Sequence, residues 1–536
     1  MKKFLAMLLM LVLALSCVPL ASADDVPVLT VAVPDKTNIE DYNTNQMTLY
    51  IEEKLGVDLD IHIYDSTDYI SKMNLMIQSG DKLEDILVFN GTPGDNLIAE
   101  WAQLGAIAPL TAYYADPEIS PWIHDAYERV GYDFSGLMIM PDGEIYAIPT
   151  LNQSYGNEHG NGRVWVYKPW LEALDAGIPT TTDEFRALLE KAVATDLNGN
   201  GIADEMGLVG YNGVSGQWFN YLMDAFIPCI PAKDWMIVRD GTVSFAYTAP
   251  EWRQGLEFIK SLYDEGLMPT ENLTQDNKGF GTMISSPDVT CFATAHTTCG
   301  GMSDLERRGK YFVVPPLTGP NGFSSTTYEP SVPAARFFVS GDCENPELAF
   351  RVGDLMVCEE LSIITRFGER SVEWDYIEDL PNKDEYENPY PLFPPYIAVY
   401  NDTAYWGSGA MQNKSWMQVG PYIRQYGIAA GMAVQKGNAS QYDLNFAEGC
   451  TVYQTSESNP KEFIAKLTYS AEEQEIVTDV KTDLNTYVKE TMAAWITGAQ
   501  VLDDASWDAF QKQVEALNAA GWLACAQAAY DRSVGK

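Results

Sequence analysis

The chain has 536 residues, more than one typical domain core can hold, so we expect two domains or lobes. Hydrophobic residues make up 46% and charged residues 20%, which is typical of a globular protein and not of a disordered one. Lys and Arg total 34 against 75 for Asp and Glu, and the resulting formal net charge of -41 makes nucleic acid and anionic lipid surfaces poor partners.

The N-terminus is typical of an export signal. Two lysines precede an apolar run over residues 4–15 that is too short to span a bilayer, and small residues at 21–23 supply a cleavage site. We therefore predict a signal peptide over residues 1–23. The alternative is a lipoprotein signal, in which Cys17 carries a lipid anchor. Both interpretations place the mature protein at the extracellular face of the cytoplasmic membrane or in the periplasm.

Strands and helices alternate along the first part of the mature chain. The β-branched stretch PVLTVAVP predicts a first buried strand. Residues 45–64 predict a helix that ends at Gly56 and is followed by a strand, and residues 69–91 repeat this order with a strand over 85–89. Because alternation at this spacing is typical of parallel β units, we predict an α/β lobe over residues 24–150.

Helices dominate the rest of the chain. Thr182 is a favourable N-cap, because the two acidic residues that follow it complement the helix dipole. Further helices are predicted over residues 250–267 and from an N-cap at Asn345. Helices separated by Gly498 and Gly521 are predicted at the C-terminus. No repeat or low-complexity linker divides the chain, so we expect two lobes interwoven by several crossings.

The stretch DLNGNGIADE, residues 196–205, alternates oxygen-bearing side chains with glycines. Its spacing matches the early ligands of a calcium loop, with Gly201 at the sharp turn, although residue 207 is Gly where the bidentate Glu is expected. Oxygen ligands without His or Cys favour Ca²⁺ over zinc or copper. The alternative is a turn that binds no ion. The candidate metal ligands are Asp196, Asn198, Asn200, Ile202 through its carbonyl, Asp204 and Glu205.

No catalytic motif is evident. The four histidines are scattered, and the sequence contains no HExxH zinc motif, GxSxG nucleophile motif or Walker phosphate loop. A glycosidase needs only two carboxylates at a set separation, and 75 acidic residues prevent the exclusion of such a pair by counting. Cys291 and Cys299 form a local disulfide in an oxidising compartment or, alternatively, stay as buried thiols.

Aromatic residues are abundant and suit sugar stacking. Tryptophan and tyrosine rings stack on the C–H faces of sugars, while amides, carboxylates and arginines bond the hydroxyls. Several of these rings stand beside Gly, Asn or charged neighbours, which is typical of loops and element ends. For each ring taken singly, core packing is the alternative. The stacking candidates are Trp218, Trp374, Tyr405 and Trp406.

Several segments in a fixed order carry a resemblance to a known family. They include MIQSGDKLEDI, DGEIYAIP, WLEALDAGIPTTTDEFRALLEKAVATDLNGNGIADE, VVPPLTGPNG and WITGAQVLDDASWDAFQKQVEALNAAGW. Through them, nearly the whole mature chain resembles bacterial extracellular solute-binding proteins (family 1, lipoprotein type) of carbohydrate ABC importers. The stretch ERSVEW departs from the family, which usually has Gly-Ile/Val-Glu-Gly there, so ligand contacts are expected to differ at that point.

This resemblance implies an α/β, two-lobe, periplasmic-binding-protein-like (type II) fold with a hinge, a ligand cleft and a helical C-terminal extension. Residues 24–150 are then mainly the N-terminal lobe. Residues 151–400 are mainly the C-terminal lobe, which contains the calcium-type loop 196–205. Residues 401–536 supply hinge crossings and C-terminal helices. In relatives that bind acidic oligosaccharides, the corresponding loop holds a structural calcium ion, so the resemblance assigns the six candidate ligands to Ca²⁺.

Ligand contacts are also expected from residues placed by the strand pattern. Asn90 follows a lobe-forming strand, where parallel sheets bind ligands, and Gln153 and Tyr155 lie where a crossing between lobes is predicted. Arg366 and Glu373 are candidates for bonding sugar hydroxyls. For Arg366, which follows a helix, pairing with the helix dipole is the alternative.

The family implies a monomeric receptor without enzymatic activity. It would capture an oligosaccharide or related solute and deliver it to the permease subunits of an ABC transporter. The alternatives are a secreted acidic glycoside hydrolase or lyase and a sugar-sensing surface receptor. The acidity of the chain argues against a highly anionic sugar unless the cleft is locally basic.

Overall fold

The computed structural model describes residues 26–156, 158–159, 162–202, 204–298, 304–400 and 410–535. The predicted signal peptide with Cys17, together with Cys299, Tyr405 and Trp406, lies outside these described residues. The strands, in chain order, are β1 (Val28–Pro34), β2 (Asp58–Tyr64), β3 (Ile86–Val88), β4 (Ile148–Asn152), β5 (Val164–Tyr167), β6 (Met206–Val209), β7 (Met236–Arg239), β8 (Thr242–Phe245), β9 (Cys291–Ala295), β10 (Tyr311–Val314), β11 (Ala334–Val339), β12 (Trp374–Tyr376), β13 (Tyr386–Glu387), β14 (Ile397–Val399), β15 (Tyr422–Arg424) and β16 (Met432–Gln435).

Helices connect and cover these strands. In the described parts of the chain, no helix combines the length and apolarity needed to cross a membrane. The helices, in chain order, are α1 (Gln46–Leu55), α2 (Tyr69–Ser79), α3 (Asp95–Gln103), α4 (Thr111–Tyr114), α5 (Pro121–Val130), α6 (Lys168–Ala173), α7 (Thr182–Val193), α8 (Gln217–Met223), α9 (Pro250–Asp264), α10 (Asn277–Ile284), α11 (Leu305–Arg308), α12 (Pro346–Met356), α13 (Glu359–Phe367), α14 (Tyr426–Ala430), α15 (Gln441–Gln454), α16 (Ala471–Thr497), α17 (Asp504–Ala516) and α18 (Ala519–Ser533).

The first lobe is built on a six-stranded sheet with the order β15-β4-β11-β3-β1-β2. β1 runs parallel to β2 and β3, as the alternation of strands and helices predicted, whereas β11 enters antiparallel between β3 and β4. One hydrophobic core gathers apolar side chains from residues 29–151, 335–361 and 416–423. This lobe is therefore completed by strands and helices that come late in the chain.

The second lobe is built on a four-stranded sheet with the order β10-β5-β9-β6, in which β6 and β9 are parallel. Its core joins residues 164–317 with residues 453–530, which include the long helix α16. Ser470 caps α16 by accepting a hydrogen bond from the Glu473 backbone, and the helix ends at Gly498, whose φ of 75° suits glycine. The predicted helical C-terminal extension is thus an integral part of this lobe.

The lobe boundaries differ from the predicted ones. Most of residues 334–367 were expected in the C-terminal lobe, but β11 and α12 pack into the core of the first lobe, because β11 fills the gap between β3 and β4. A small third sheet with the order β12-β14-β16-β13 lies in the segment over residues 374–435. Sheet pairing between distant segments decided these boundaries, and hydrophobic periodicity does not report such pairing.

Most predicted helices and strands are present, with shifted ends. The helix predicted at Thr182 begins there, but its N-cap is Thr181, whose hydroxyl accepts a hydrogen bond from the Glu184 backbone in a capping box. The helix predicted from Asn345 is divided into α12 and α13. At the C-terminus Gly521 lies inside α18, and the break falls at Asn518, which adopts a left-handed conformation with φ of 61°.

Within the described residues, three chain segments connect the lobes. We name them crossing 1 (residues 153–163, from β4 to β5), crossing 2 (315–333, from β10 to β11) and crossing 3 (425–440, from β15 to α15). The ends of β4 and β15 and the start of β11 lie side by side, as do the start of β5 and the ends of β9 and β10. Crossings 1 and 2 therefore join the two sheet edges at which the parallel strands end, called here the carboxyl edges.

Candidate ligand cleft and calcium loop

Polar groups lie at the carboxyl edge of the first sheet. Lys36 follows β1, Asn90 follows β3, and Arg424 is the last residue of β15. Arg336 lies in β11 at an irregularity in its pairing with β4, and its guanidinium donates a hydrogen bond to the Asn90 carbonyl. Because open α/β sheets bind ligands at the carboxyl ends of their strands, this edge forms one wall of a candidate cleft.

The carboxyl edge of the second sheet forms the other wall. Tyr211 comes soon after β6, and His296 and Thr297 follow β9. The Gln217 amide donates a hydrogen bond to the Thr297 hydroxyl at 2.7 Å. Burial lowers the pKa of His296, so its imidazole is neutral at pH 7. Amide, hydroxyl and neutral imidazole groups at a sheet edge suit the hydrogen bonding of sugar hydroxyls.

A fully buried arginine connects this second wall to crossing 1. Arg163 Nη1 donates to the Thr297 carbonyl at 2.8 Å, and its Nη2 donates to the carbonyls of His159, at 3.1 Å, and Gly156. Burial, with a smaller contribution from the Arg163 charge, lowers the pKa of His159 to about 4. The loop after β9 is thus held by the same segment that links the two lobes.

One carboxylate joins all three crossings. Glu158 of crossing 1 is buried, and its Oε1 accepts a hydrogen bond from the Ser331 backbone of crossing 2 at 3.0 Å. Its other carboxylate oxygen accepts from the Tyr426 hydroxyl of crossing 3. The Glu158 carbonyl also accepts from the Glu329 backbone at 2.8 Å. Glu158 therefore ties the three crossings to one another.

The predicted ligand residues Asn90, Gln153 and Tyr155 have different surroundings. Asn90 is exposed at the first carboxyl edge. Gln153 is buried, and its side chain bonds the Val130 carbonyl at 3.1 Å and the Tyr426 backbone N–H at 3.3 Å. Tyr155 is buried among aromatic rings, with the Phe393 ring 4.8 Å away. In this arrangement Gln153 and Tyr155 support the crossings, and Asn90 is open to a ligand.

Glu373 and Arg366 lie near the small third sheet. The buried carboxylate of Glu373 accepts from Lys414 Nζ at 2.5 Å and from the Glu369 backbone at 2.9 Å. Arg366 is half-buried near the end of α13, and its guanidinium carbon lies 5.6 Å from the Phe367 ring. Glu373 therefore has an internal role in this structure, while Arg366 remains a candidate for ligand contact.

Trp218 and Trp374 lie in hydrophobic cores. Both have 0% exposure, and the Trp374 indole donates a hydrogen bond to the Gly368 carbonyl at 2.9 Å. Trp218 packs edge-on against Phe219, and a Cβ on Gly210 would overlap its ring. Neither ring face is open to a ligand, which contradicts the predicted stacking role of both residues and agrees with the core-packing alternative. Stacking by Tyr405 and Trp406, outside the described residues, stays a prediction.

Sequence reasoning missed Arg336, Arg424 and Tyr422. All three lie at the carboxyl edge of the first sheet, and the Arg424 guanidinium carbon is 4.6 Å from the centre of the Tyr422 ring. The available signal was an arginine inside a short, otherwise apolar strand, in AARFFV and in YIR. A charged side chain at such a position is seldom buried unless it binds a partner group.

A space of about 370 Å³ between the lobes touches crossing 2 and the start of β11, at Ala334 and Ala335, but the rest of its lining lies away from the carboxyl edges. Its walls include Asp95 and Lys466, which form an ion pair at 3.0 Å, together with Met236 of β7. Neither the ends of β6 and β9 nor any predicted ligand residue contributes to these walls. Because strand ends carry the polar groups that suit a sugar, the cleft between the carboxyl edges is the better candidate site.

The loop over residues 196–202 winds around the carboxylate of Asp196. This carboxylate accepts hydrogen bonds from the backbones of Gly199 at 2.8 Å and Gly201 at 2.9 Å. Both glycines have positive φ, 74° and 80°, which other residues rarely adopt. The Asn200 amide oxygen accepts from the Ile202 backbone at 2.7 Å, and Ile202 itself is exposed. The sequence thus folds into a compact turn lined by oxygen atoms, which both the predicted calcium loop and the alternative of an ion-free turn require.

The remaining candidate ligands close this loop. The Asn198 amide donates to Asp204 at 3.1 Å. Glu205 is buried, and its Oε1 accepts from the Leu197 backbone at 2.7 Å, but its Oε2 is buried with no hydrogen-bond partner. A buried carboxylate oxygen of this kind fits a hard cation. Among described residues, no group of three or more His, Cys, Asp or Glu is placed to hold a metal, so a cation bound here would need amide and carbonyl oxygens among its ligands.

The cysteines within the described range are free thiols. Of these, Cys343 is half-buried and the others are buried: Cys229, Cys291, Cys358, Cys450 and Cys525. Burial raises the pKa of Cys291 to about 12, as expected for an unreactive core thiol. This agrees with the buried-thiol alternative, while Cys299, the other member of the predicted disulfide, lies outside the described residues.

The two lobes, their connecting crossings and the carboxyl edges define a two-lobe, periplasmic-binding-protein-like architecture. No protein-family model matches the chain. The fructooligosaccharide ABC transporter substrate-binding protein FusA of Streptococcus pneumoniae serotype 4 is 25% identical over 503 residues, which cover 92% of this chain and 88% of FusA. The resemblance to solute-binding proteins of carbohydrate ABC importers is thereby confirmed.

Solved structures agree with this fold. An extracellular solute-binding protein from Bifidobacterium longum subsp. infantis superposes with a TM-score of 0.74 at 18% identity, over 96% of this chain and 99% of that protein. An EF-hand mutant of S. pneumoniae FusA, in complex with fructo-nystose, superposes with a TM-score of 0.66 at 22% identity, over 95% and 99%. These similar proteins are binding proteins, and one of them contains an EF-hand.

Proposed function

We propose that this protein binds an oligosaccharide between its two lobes and delivers it to the permease subunits of an ABC transporter. The observation that carries this proposal is the match to FusA over 92% of the chain. It is supported by the two facing carboxyl edges, which offer amide, hydroxyl and imidazole groups. Lobes connected by a few segments close around a ligand by a hinge movement, and the closed form presents the cargo to its membrane partner.

Calorimetry with a panel of oligosaccharides that includes fructooligosaccharides tests this function. We expect at least one sugar to bind with a stoichiometry of one per chain. The variant Gln217→Ala should weaken binding by roughly fivefold or more, because it removes a polar group of the cleft. The matched control is Gln103→Ala, an exposed residue at the end of α3, which should leave affinity unchanged. If no sugar binds, or if both variants behave alike, the proposal fails.

We infer that the bound sugar is released unchanged, because a delivery protein has no use for hydrolysis. Chromatography of the sugar after prolonged incubation with the protein should show a single unaltered species. Accumulation of shorter or unsaturated products would instead establish the secreted hydrolase or lyase alternative.

We infer that the mature protein acts as a monomer outside the cytoplasmic membrane, at its extracellular face or in the periplasm. The support is the basic and apolar N-terminal stretch with small residues at 21–23. Mass spectrometry of the mature protein distinguishes cleavage after Ala23 from lipid attachment at Cys17. Light scattering after gel filtration tests the monomeric state.

We propose that the loop over residues 196–205 binds one structural Ca²⁺ ion. Asp196, Asn198, Asn200, the Ile202 carbonyl, Asp204 and Glu205 would hold it, and the unpartnered buried oxygen of Glu205 supports this assignment. The ion would offset the repulsion among the carboxylates and stabilise the turn that joins α7 to β6. The loop lies at the amino end of β6, and the candidate cleft lies at its carboxyl end. This position supports a structural role for the ion.

A further inference from the structure

Cationic side chains gather at the carboxyl edge of the first sheet, although the whole chain carries a formal net charge of -41. Arg336 in β11 and Arg424 in β15 flank Tyr422. Burial and the charge of Arg336 lower the pKa of Lys36, and burial and the charge of Arg366 lower the pKa of Arg424 to about 10. Lys36 thus lies near Arg336 and Arg366 lies near Arg424, and both Arg336 and Arg424 interact with Tyr422 between them. The cleft wall is therefore locally basic in an acidic protein.

Arg336 and Arg424 differ from other arginines of the same lobe. Arg351 pairs with a glutamate at 2.9 Å, and Arg129 pairs with an aspartate at 2.6 Å. Within the described part of the chain, by contrast, Arg336 and Arg424 form no ion pair. Their hydrogen bonds go to uncharged oxygens, those of the Asn90 carbonyl and the Gln418 amide.

Both arginines also keep a donor without a partner. The Nε atoms of Arg336 and Arg424 are buried and make no hydrogen bond. An unsatisfied buried donor destabilises the folded protein, and a charged one more so than a neutral one. Arg424 is only 7% exposed, whereas Arg336 is half-buried and next to the exposed Asn90. The pair is thus a preformed donor set at a ligand-binding edge.

A purely structural role explains these arginines less well. Holding the Asn90 carbonyl or the Gln418 amide requires one neutral donor, and burying a cation for that purpose has a large desolvation cost. An anion in the cleft would instead neutralise the two guanidinium groups and supply acceptors for the free Nε donors. Guanidinium groups match planar carboxylates and sulfates through paired hydrogen bonds.

We propose that the cleft recognises an oligosaccharide that carries a negatively charged group, a carboxylate or a sulfate, which Arg336 and Arg424 bind. This inference rests on the proposed function, since it names the substrate class of the same site. The anionic group would lie against the end of β15 and the irregularity in β11. The neutral part of the sugar would extend toward Gln217 and Thr297 of the other wall.

Calorimetry with three sets of sugars tests this inference: uronate-containing oligosaccharides, the neutral oligomers made by reducing their carboxyl groups, and sulfated oligosaccharides. We expect an acidic sugar to bind about tenfold or more tightly than its neutral counterpart, and its affinity to fall as ionic strength rises. Preference for the uronate or for the sulfated sugar identifies the anionic group. Equal affinity for a uronate and its reduced counterpart, with no binding of the sulfated sugars, overturns the inference.

Variants locate the anion. Arg336→Gln should weaken the binding of the acidic sugar about 10- to 100-fold and leave the binding of neutral sugars unaffected. Arg336→Lys, which keeps the charge, should recover part of the lost affinity. The matched control is Arg351→Gln, which removes the same charge from α12 and should change nothing. Thermal melting verifies that each variant is folded. If Arg336→Gln and Arg351→Gln bind the acidic sugar equally, the inference fails. If no sugar of any set binds wild type, the proposed function fails as well.

Discussion

Two buried aspartates, one in each lobe, tie stability to pH. Asp224 is buried in the second lobe, where it accepts hydrogen bonds from the Cys229 backbone at 2.9 Å and the Thr327 hydroxyl at 2.9 Å. Asp354 of the first lobe accepts from the Ile123 backbone at 2.9 Å. Desolvation raises the pKa of each carboxyl to about 7, despite these hydrogen bonds.

The direction in which stability changes with pH follows from the pKa of the aspartate in the folded and in the unfolded protein. An unfolded aspartate titrates near pH 4, so between about pH 4 and pH 7 the folded protein holds a proton that the unfolded chain has released. This contribution to the free energy of unfolding is therefore complete at about pH 4 and is lost as the pH rises to about 7. Above that pH the carboxyl is charged in both states, and the dependence ends.

Asp224→Asn should reduce this pH dependence. The uncharged amide keeps the size of the side chain but has no proton to lose, so the midpoint of thermal unfolding should change less between pH 5 and pH 7.5 than in wild type. The difference corresponds to at most about 3 kcal/mol, because about two pKa units of the shift lie between pH 5 and pH 7 and one unit is about 1.4 kcal/mol. The control is Asp508→Asn, an exposed residue of α17. Identical pH profiles for Asp224→Asn and wild type would contradict the prediction.

Single residues show the limits of sequence reasoning at this scale. Trp218 stands beside Gly and Asn in the sequence, which is typical of a loop, yet α8 carries its ring into the core. Arg336 and Arg424 were not predicted as ligand contacts, because each lies within a short strand of otherwise apolar residues. Their importance depends on which strands pair in the sheet: β15 and β11 both pair with β4, although more than eighty residues separate them along the chain. Side-chain types were readable from sequence, but their surroundings were not.

Local elements were more predictable, because their signals are local. The alternation of apolar residues predicted β1, β2 and β3, and the cap and first-turn acids predicted α7 to within one residue of its N-cap. The glycine and asparagine spacing predicted the turn over residues 196–205. What failed was the division between α12 and α13 and the break at Asn518, where packing and a left-handed non-glycine residue override the simple breaker rules.

At the scale of this element, calcium should raise stability. A ligand that binds only the folded state stabilises it by about 2.7 kcal/mol at 100 times its dissociation constant. Adding Ca²⁺ to chelator-treated protein should raise the midpoint of thermal unfolding, and Asp196→Ala should lower the midpoint and abolish the response. The choice of sugar ligand should not change, because the loop is at the opposite end of β6 from the cleft.

The control for the loop is Asp81→Ala, an exposed carboxylate in the turn after α2 of the first lobe. This variant should keep the full calcium response. Should chelator and Ca²⁺ leave the unfolding midpoint of wild type unchanged, the loop is a turn that binds no ion, and the calcium proposal is withdrawn.

At the scale of the whole molecule, the crossings decide the architecture. The two-lobe fold was predicted from the family resemblance, but the boundaries were not. β11 and β15 belong to the first sheet but follow the second lobe in the chain. Each passage of the chain between the lobes forms a crossing, and the candidate cleft lies where crossings 1 and 2 join the carboxyl edges. Long-range strand order therefore creates the site, which explains why it could not be located by reading along the chain.

The buried contact of Glu158 with Tyr426 should behave as one unit that couples crossings 1 and 3. Glu158→Gln and Tyr426→Phe each remove the charge-assisted hydrogen bond, so each should lower the free energy of unfolding by about 1.5–3 kcal/mol. In the double variant the loss should be clearly smaller than the sum of the single losses, because the same contact is removed only once. Denaturant unfolding of the four proteins measures this coupling.

Tyr114→Phe provides the matched control for the cycle. The Tyr114 hydroxyl donates to the Ala147 carbonyl at 2.9 Å inside the first lobe, away from Glu158. The decrease in the free energy of unfolding caused by Tyr114→Phe should therefore add to the decrease caused by Glu158→Gln. If the losses of Glu158→Gln and Tyr426→Phe also add, the two crossings are independent. Lobe closure would then have to pivot on crossings that move separately. If the cycle shows coupling, the buried carboxylate holds crossings 1 and 3 together as one unit.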